Sequence, residues 1–331
     1  MKLSHRIEWD NGVHINGLDL VLDSTRAVAC SFVSHAHFDH LAKHTRILAS
    51  PATASLCKVR LNSKKTLPKF KEIKFRHKTK FHEVELELLP AGHILGSAQI
   101  LIAHGTQTLL YTGDFRLKPS LTAEPILVKS ADILVMDATY GHPRYCFPAR
   151  EKEYLRLTKY LDTCLTHGVT PVLLAYSLGK AQEILKYLGD KDYPITVHPK
   201  IAELAQIYTQ FGIEFAPYKV LTEKTAGLHN RIILVPPNSQ KTEPIASIRK
   251  KSIAMLTGWA VDDSAKWRYR ADEQFIISDH ADFQELIDYV QQVNPNLVYI
   301  CNGEKNFVSH LQKLGFNAQL LERTRQLNLF E

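Results

Sequence analysis

The feature that most constrains this 331-residue chain is a cluster of ionisable side chains directly after an apolar run. Residues 27–33 are typical of a buried strand, and residues 34–40 then read Ser-His-Ala-His-Phe-Asp-His. A lone buried histidine is more often a hydrogen-bonded core residue, but four ionisable groups this close are unfavourable unless a metal binds them. Imidazole and carboxylate ligands suit zinc, with manganese as a substitute. The four candidate ligands are His35, His37, Asp39 and His40.

Two further candidate ligands follow later strands. His93 lies in an Ala-Gly-His turn after the alternating run at residues 83–88, and glycine permits such a turn. Asp114 follows residues 100–111, which read as a hairpin. Each could be an ordinary loop residue by itself. Together with the first cluster they give six ligands, enough for two metals that share a bridging carboxylate, and metals about 3.5–4 Å apart suit phosphodiester hydrolysis.

The pattern of apolar and polar residues changes near Pro148. From there strand-like runs alternate with helical ones, as at residues 172–175 and 180–188, which predicts a parallel sheet covered by helices. A new strand–helix unit is expected from Phe275. The length fits about two units of different architecture.

Positive charge is concentrated in one segment. Residues 58–82 carry ten Lys or Arg and one acid, so the remainder of a chain of net charge +7 is slightly acidic. Such a segment attracts a polyanion, and its interleaved phenylalanines could stack on unpaired bases. The alternative is a solvated face whose phenylalanines point inward. The candidate nucleic-acid-binding residues are Lys64, Lys65, Lys69, Lys71, Lys74 and Arg76.

Composition narrows the class of protein. Hydrophobic residues make up 45% and charged residues 23%, which excludes disordered and collagen-like chains. We find no apolar run of about 18 residues and no signal-peptide h-region. The five cysteines are scattered, as in a reduced compartment. We therefore expect a cytoplasmic protein without a membrane span.

The order of these motifs resembles the metallo-β-lactamase fold. Asp137, after the strand-like residues 133–136, resembles the next family element, and Ser-Asp-His-Ala-Asp-Phe at 278–283 resembles the motif that follows an inserted domain. These features indicate the β-CASP branch, whose members cut nucleic acids. Residues 112–116 and 175–180 are similar to Artemis-like DNA-repair nucleases, and the compact size is similar to the bacterial DNA-ligase-associated exonucleases.

The resemblance implies an α/β (α+β) fold. We expect an αββα metallo-β-lactamase sandwich formed by residues 1–149 and 272–331, with a β-CASP cap containing a parallel sheet at 150–271. It also implies two divalent ions, zinc or manganese. One is held by His35, His37 and His93, the other by Asp39 and His40, with Asp114 as the bridge.

Two further roles follow from the same resemblance. His280 is either the last ligand of the second metal or the acid that protonates the leaving oxygen. Asp137 orients His280 or the attacking hydroxide, unless it is only a turn-forming aspartate. The catalytic candidates are Asp39, His280 and Asp137.

The predicted activity is hydrolysis of DNA, 5′→3′ from single strands or frayed ends, in DNA repair. RNA-processing relatives usually carry His-Gly-Glu where this chain has Asn-Gly-Glu from Asn302, and losing the histidine favours DNA. The alternatives are an RNA nuclease, a non-catalytic scaffold that binds DNA ends or the sliding clamp, and a small-molecule lactonase or thioester hydrolase. The last leaves the inserted domain and the basic segment unexplained.

Two local motifs suggest binding sites. Ser177, Gly179 and Lys180 lie where a strand passes into a helix, which predicts a pocket for a terminal 5′-phosphate. The alternative is a Ser N-cap with an exposed lysine. Near the end of the sequence, Gln326, Leu327, Leu329 and Phe330 resemble the pentapeptide that binds the bacterial sliding clamp, or form a last strand. A DNA ligase and a helicase of a repair system are further expected partners.

Overall fold

The computed structural model describes residues 7–61, 67–222 and 228–321. The chain divides into two compact units. The first comprises Met1–Pro119, Ala123–Pro143 and Ala281–Glu331, and the second comprises Ser120–Thr122 and Arg144–His280. Within the described ranges, no helix is both long and apolar enough to cross a membrane.

The first unit is a sandwich of two mixed sheets. The six strands of sheet 1, in spatial order, are β1 (Ile7–Trp9), β2 (Val13–Ile15), β3 (Val21–Leu22), β4 (Cys30–Phe32), β5 (Arg46–Ala49) and β6 (Lys69–Glu72). The strands of sheet 2 are β7 (Lys78–Phe81), β8 (Val84–Pro90), β9 (Ala98–His104), β10 (Gln107–Tyr111), β11 (Ile133–Asp137), β18 (Leu297–Asn302) and β19 (Ala318–Leu320). Their facing side chains, such as Phe32 and Ile100, form one continuous core. Burial of this apolar surface is what holds the two sheets together.

Helices cover the outer faces of the sandwich. They are α1 (Pro51–Leu61), which contacts β5 and β6, and α6 (Phe283–Val293) and α7 (Lys305–Lys313), which share a core with sheet 2. Helix α6 begins at a capping box in which Asp282 accepts from the Glu285 amide and Glu285 accepts from the Asp282 amide. β9 and β10 form the predicted antiparallel hairpin.

The second unit is built on a parallel sheet of six strands. They are β12 (Thr170–Leu174), β13 (Ile195–Val197), β14 (Lys219–Val220), β15 (Ile232–Val235), β16 (Lys251–Leu256) and β17 (Glu273–Phe275). Their spatial order is β14-β13-β15-β12-β16-β17, and every pairing is parallel. The helices are α2 (Arg150–Thr166), α3 (Lys180–Gly189), α4 (Pro199–Gln210) and α5 (Ser264–Tyr269). Apolar cores cover both faces of the sheet, as parallel sheets require.

These units confirm the predicted fold class: an αββα sandwich with an inserted unit that contains a parallel sheet. The predicted boundaries at 150 and 271 differ from the division observed at 143/144 and 280/281. The difference has a physical cause at the second boundary, because β17 pairs with β16 in the inserted sheet. The strand that was expected to open the return segment is therefore the edge strand of the insert.

Candidate metal centre

Four predicted ligands of the first unit converge at strand ends. His35 and His37 follow β4, His93 follows β8 and Asp114 follows β10, and one ligand atom from each lies within 4.8 Å of all the others. His35, His93 and Asp114 are buried, and His37 is half-buried. The turns of the two sheets are joined beside the cluster by a hydrogen bond from the Ala98 amide to the Ser34 carbonyl, 2.8 Å long.

Glycines allow two of these turns to form. Gly92 (φ +77°) packs so closely that an added Cβ would lie 2.3 Å from the Arg116 carbonyl oxygen. Gly113 (φ +54°) packs against Ser34, where a Cβ would lie 2.5 Å from the serine side chain. A side chain at either position would push His93 or Asp114 out of place, because both glycines directly precede a ligand.

The donor spacing of the cluster fits a tetrahedral ion. His37 Nδ1 lies 3.1 Å from His35 Nε2 and 3.2 Å from His93 Nε2. Asp114 Oδ2 lies 3.4 Å from His35 Nε2 and 3.8 Å from His93 Nε2. Ligands at about 2.0–2.1 Å around a tetrahedral zinc would be separated by roughly 3.4 Å. Three imidazole nitrogens and one carboxylate oxygen are therefore spaced as a zinc site needs.

The Asp114 carboxylate also faces a second group of ligands. Its other oxygen, Oδ1, lies 3.6 Å from His40 Nε2, and that nitrogen lies 3.8 Å from Asp39 Oδ2. Asp39 is strongly exposed, with 77% of its side-chain surface accessible. One carboxylate thus presents each oxygen to a different set of donors, which is the arrangement of a bridging ligand.

Asp23 orients two of the histidines, and the sequence analysis missed it. Its buried Oδ2 accepts hydrogen bonds from His40 Nδ1 (2.9 Å), the Ser34 hydroxyl (2.6 Å) and the Tyr111 hydroxyl (2.8 Å). Because the Ser34 hydroxyl donates to Asp23, its lone pair accepts from His35 Nδ1 at 2.9 Å. These hydrogen bonds place a proton on Nδ1 of both rings and direct Nε2 of each ring towards the cluster. Carboxylates commonly position metal-binding histidines in this way.

The charge balance of the cluster favours a cation. Burial lowers the pKa of His40, but the Asp114 and Asp23 carboxylates outweigh burial and raise the pKa to about 10. Burial also raises the pKa of the Cys301 thiol well above its ordinary value, and Asp137 and Asp114 add to this effect. The carboxylates thus favour positive charge at this site, which either a proton on His40 or a bound metal ion can supply.

Asp137 lies in the same pocket as the cluster. Its carboxylate and that of Asp114 have oxygens within 4.8 Å, and both line a cavity of about 290 Å³ with Asp39 and His40. Asp137 Oδ1 accepts from the Thr139 hydroxyl (2.9 Å) and from Asn302 Nδ2 (2.8 Å). The amide of Thr139 donates to its other oxygen. Asp137 therefore stabilises a turn and also faces the pocket.

The remaining candidate site residues of this group lie in the second unit. His280 is the last residue of the second unit, in the segment after β17. In the same unit, Ser177 is half-buried and Gly179 is the N-cap of α3, so the alternative of a serine N-cap is wrong. Lys180 is buried, not exposed, and its Nζ lies 3.1 Å from Asp279 Oδ1.

The basic segment forms the edge strands of both sheets, β6 and β7. Lys69, Lys74 and Arg76 are exposed, and Lys71 is half-buried with its ammonium 6.0 Å from the Phe81 ring centroid. Phe81 is buried, and Phe75 packs against the core between the sheets. These rings point inward, as the alternative interpretation held. Lys64, Lys65 and the predicted clamp-binding residues lie outside the described ranges.

Comparison with known proteins shows which family the chain resembles. Residues 268–320 match the Zn-dependent metallo-hydrolase RNA specificity domain, RMMBL. The chain is 36% identical over 332 residues to a "Probable DNA ligase" of Opitutus terrae, covering 98% of this chain and 32% of that relative. It is 28% identical over 332 residues to "5' exonuclease Apollo" of Gallus gallus, covering 94% and 68% respectively.

The name of an archaeal relative refers to a ribonuclease. The "RNase J-like protein" of Methanocaldococcus jannaschii is 27% identical over 234 residues, which are 62% of this chain and 56% of that protein. The chain thus spans about a third of the Opitutus relative and just over half of the archaeal one. The predicted family resemblance is confirmed: the chain belongs to the β-CASP branch of the metallo-β-lactamase nuclease family.

Proposed function

We propose that this protein is a metal-dependent exodeoxyribonuclease of DNA repair. The observation that carries the proposal is the division of the Asp114 carboxylate between two donor sets, three histidines on one side and His40 with Asp39 on the other. Similarity to "5' exonuclease Apollo" over most of the chain supports a nuclease that works from a 5′ end.

In this proposal the residues divide into two metal sites. His35, His37 and His93 would hold one divalent ion, Asp39 and His40 would hold the other, and Asp114 would offer one carboxylate oxygen to each. Zinc fits the three-histidine set, with manganese as a substitute. Two bound ions would acidify a water molecule and stabilise the charge that develops on the phosphate.

The other residues of the site are proposed to orient the metal ligands or to transfer protons. Asp23 holds the Nδ1 proton of His40 directly and that of His35 through the Ser34 hydroxyl, so Nε2 of each ring would face a metal. Asp137, held by Asn302 and Thr139, is proposed to orient the attacking hydroxide or His280. His280 is proposed either to complete the second metal site or to protonate the leaving oxygen.

DNA is favoured over RNA by the residue at position 302. In RNA-processing relatives a histidine is usual there, whereas the Asn302 amide of this chain donates to Asp137 and to the Thr139 hydroxyl (3.0 Å). An RNA nuclease is the second candidate, because the matched domain is named for RNA specificity and an archaeal relative is named an RNase. Labelled DNA and RNA strands of equal sequence separate the two.

A 5′→3′ polarity on single strands or frayed ends is proposed with a pocket for the terminal phosphate at Ser177, Gly179 and Lys180. A held end would fix which phosphodiester reaches the metals. The exposed basic residues Lys69, Lys74 and Arg76 would attract the strand, with the half-buried Lys71 close by.

One assay tests the activity. Purified protein is incubated with 5′-phosphorylated and 5′-hydroxyl DNA and with RNA, each with and without chelator, and compared with Asp39→Ala. We expect chelator-sensitive release of nucleotides from 5′-phosphorylated DNA and loss of that activity in the variant. Digestion that ignores the chelator or survives the substitution would contradict the mechanism. Fewer than one zinc or manganese per chain, even after reconstitution, would favour a non-catalytic scaffold.

The proposed partners are a DNA ligase, a helicase of the same repair system and the sliding clamp. The first is supported by the relative named "Probable DNA ligase". The clamp proposal depends on Gln326, Leu327, Leu329 and Phe330. A pull-down with purified clamp tests it, and equal binding after removal of the last six residues would exclude the tail as the contact.

A further inference from the structure

Exposed aromatic side chains are concentrated at one edge of the second unit. Among the described residues, five aromatic side chains are exposed, and three of them follow β12 or β16. The fractions exposed are 45% for Tyr176, 40% for Trp259 and 81% for Trp267. A single exposed ring needs no explanation, but a cluster of them on one surface indicates a binding site.

Sheet topology explains why these residues share an edge. β12 and β16 are parallel neighbours, with Leu174 paired to Met255. Tyr176 follows β12 by two residues and Trp259 follows β16 by three, so both leave the sheet at its carboxyl edge. Trp267 lies on the short helix α5 in the connection from β16 to β17. Ligands of parallel sheets bind at this edge, in the loops that follow the strands.

The rings are accompanied by cations. Residues 262–270 carry Lys266, Arg268 and Arg270 against Asp262 and Asp263, and Arg268 and Arg270 are exposed. Burial and a hydrogen bond with Tyr269 raise the pKa of Tyr176, whereas the nearby Arg268 guanidinium opposes them. The Lys180 ammonium lies 5.3 Å from the Tyr176 ring centroid. Flat aromatic rings beside arginines are the combination that single-stranded nucleic acids use, because bases stack on the rings and phosphates meet the cations.

Trp259 is held in place, and Trp267 is the free end of this surface. The Trp259 ring meets the Tyr145 ring edge-on with centroids 5.3 Å apart, and the Arg144 guanidinium lies over Tyr145 at 4.6 Å. Trp267 exposes most of a large apolar ring to water, which is unfavourable unless a ligand covers it.

We propose that Tyr176, Trp259 and Trp267 form a stacking platform for unpaired bases of a single strand, with Trp267 as its principal contact. The proposal deepens the proposed function, since it takes a nucleic-acid strand as the ligand. It needs neither the metal centre nor hydrolysis, so binding alone can test it.

The experiment measures binding of metal-loaded protein to phosphorothioate-linked single strands, which resist hydrolysis. A thymidine strand is compared with a strand of the same length whose sugars lack bases. Three variants are used: Trp267→Ala, Trp267→Phe and Phe211→Ala. Phe211 is a matched control, because it is 40% exposed in the same unit but caps the carboxyl end of α4, at the opposite edge of the sheet.

We expect Trp267→Ala to weaken binding of the thymidine strand about tenfold and to leave binding of the abasic strand unchanged. Trp267→Phe should bind within about twofold of the wild type, yet lose part of the tryptophan quenching that the thymidine strand produces. Phe211→Ala should match the wild type on both strands.

Equal binding of the thymidine strand by Trp267→Ala, or the same loss on both strands, would overturn the platform. So would a change of oligomeric state confined to the Trp267 variants, since Trp267 would then contact another protein chain. Cleavage assays of the wild type separate this result from the proposed function: DNA cleavage without base-dependent binding removes only the platform, and base-dependent binding without cleavage removes only the nuclease.

Discussion

The metal centre of the first unit and the Ser177–Lys180 turn of the second were both predicted at strand ends. The two sites differ in how the charges of their side chains are balanced. In the first unit, three histidines and Asp114 converge with excess negative charge, and the pKa of His40 rises to about 10. In the second, the buried Lys180 ammonium meets the Asp279 carboxylate at 3.1 Å. The carboxylates of the first unit favour added positive charge, from a proton on His40 or from a bound metal ion, whereas the charges of the second unit form an ion pair. Charged side chains that meet at strand ends are therefore weaker evidence for a ligand site when an ion pair within the chain already neutralises them.

The largest effect is expected at Asp114. Asp114→Ala removes both carboxylate oxygens, one from each donor set, so the three-histidine site and the His40 site would no longer be joined. We expect a loss of about 4 kcal/mol of transition-state stabilisation, which corresponds to about a thousandfold in kcat/KM. Metal content measured on the same sample should also fall. Full metal occupancy with unchanged kcat/KM would show that Asp114 is not a bridge.

Substitutions of the Lys180–Asp279 pair test whether the charges of the second unit are balanced within the chain. Lys180→Met leaves a buried carboxylate without its cation and should lower the free energy of unfolding by about 3–5 kcal/mol. The double variant Lys180→Met/Asp279→Asn removes both charges and should recover much of that loss. Denaturant unfolding of the three proteins measures this.

The same double variant sharpens the 5′-phosphate proposal. If Lys180 holds the terminal phosphate, the double variant should lose the preference for 5′-phosphorylated over 5′-hydroxyl DNA while it still cleaves. An unchanged preference would assign Lys180 to stability alone.

Asp23 should have an intermediate effect. Asp23→Asn weakens the acceptor that holds His40 Nδ1 and the Ser34 hydroxyl, and loss of such a positioning carboxylate typically reduces metal affinity or activity by about 10–100-fold. Competition with a metal-binding dye measures the affinity. The control is Asp19→Asn, the same chemical change at an exposed position nearby, which should leave affinity unchanged. Equal affinities for the two variants would remove Asp23 from the centre.

The smallest effects are expected in the basic connection between the edge strands β6 and β7. Lys74→Gln and Arg76→Gln should each weaken DNA binding uniformly across sequences and lower the salt slope by about one. Lys78→Gln is the comparison, because Lys78 already pairs with Glu85 at 2.6 Å. Binding measured against salt concentration separates these cases, and identical slopes for all variants would exclude this surface as a DNA contact.

The fold class and the local ligand cluster could be predicted from the sequence because their signals are local. His35 to His40 lie within six residues, and Gly92 and Gly113 indicate the turns that carry the other two ligands. Asp23 was missed because its role depends on tertiary structure: β3 pairs with β4 through Val21–Ser31 and Leu22–Phe32, which brings Asp23 beside Ser34. An acid directly after an apolar run was its one available signal.

Burial was harder to predict than secondary structure. The partner of Lys180 lies 99 residues away at Asp279, so no local pattern could show that the lysine is buried and paired. Phe75 and Phe81 of the basic segment likewise point inward, because they pack against the core between the two sheets. The exposed Trp267 could be recognised as exposed only from the three-dimensional structure.

Anomalous X-ray diffraction from crystals of the metal-loaded protein tests the central claim most directly. Data collected on both sides of the absorption edge of the bound metal should show two peaks about 3.5–4 Å apart, one on each side of the Asp114 carboxylate. One peak should be surrounded by His35, His37 and His93, and the other should contact His40 and Asp39. A single peak, or no peak within ligand distance of Asp114 in fully loaded protein, would contradict the two-metal account.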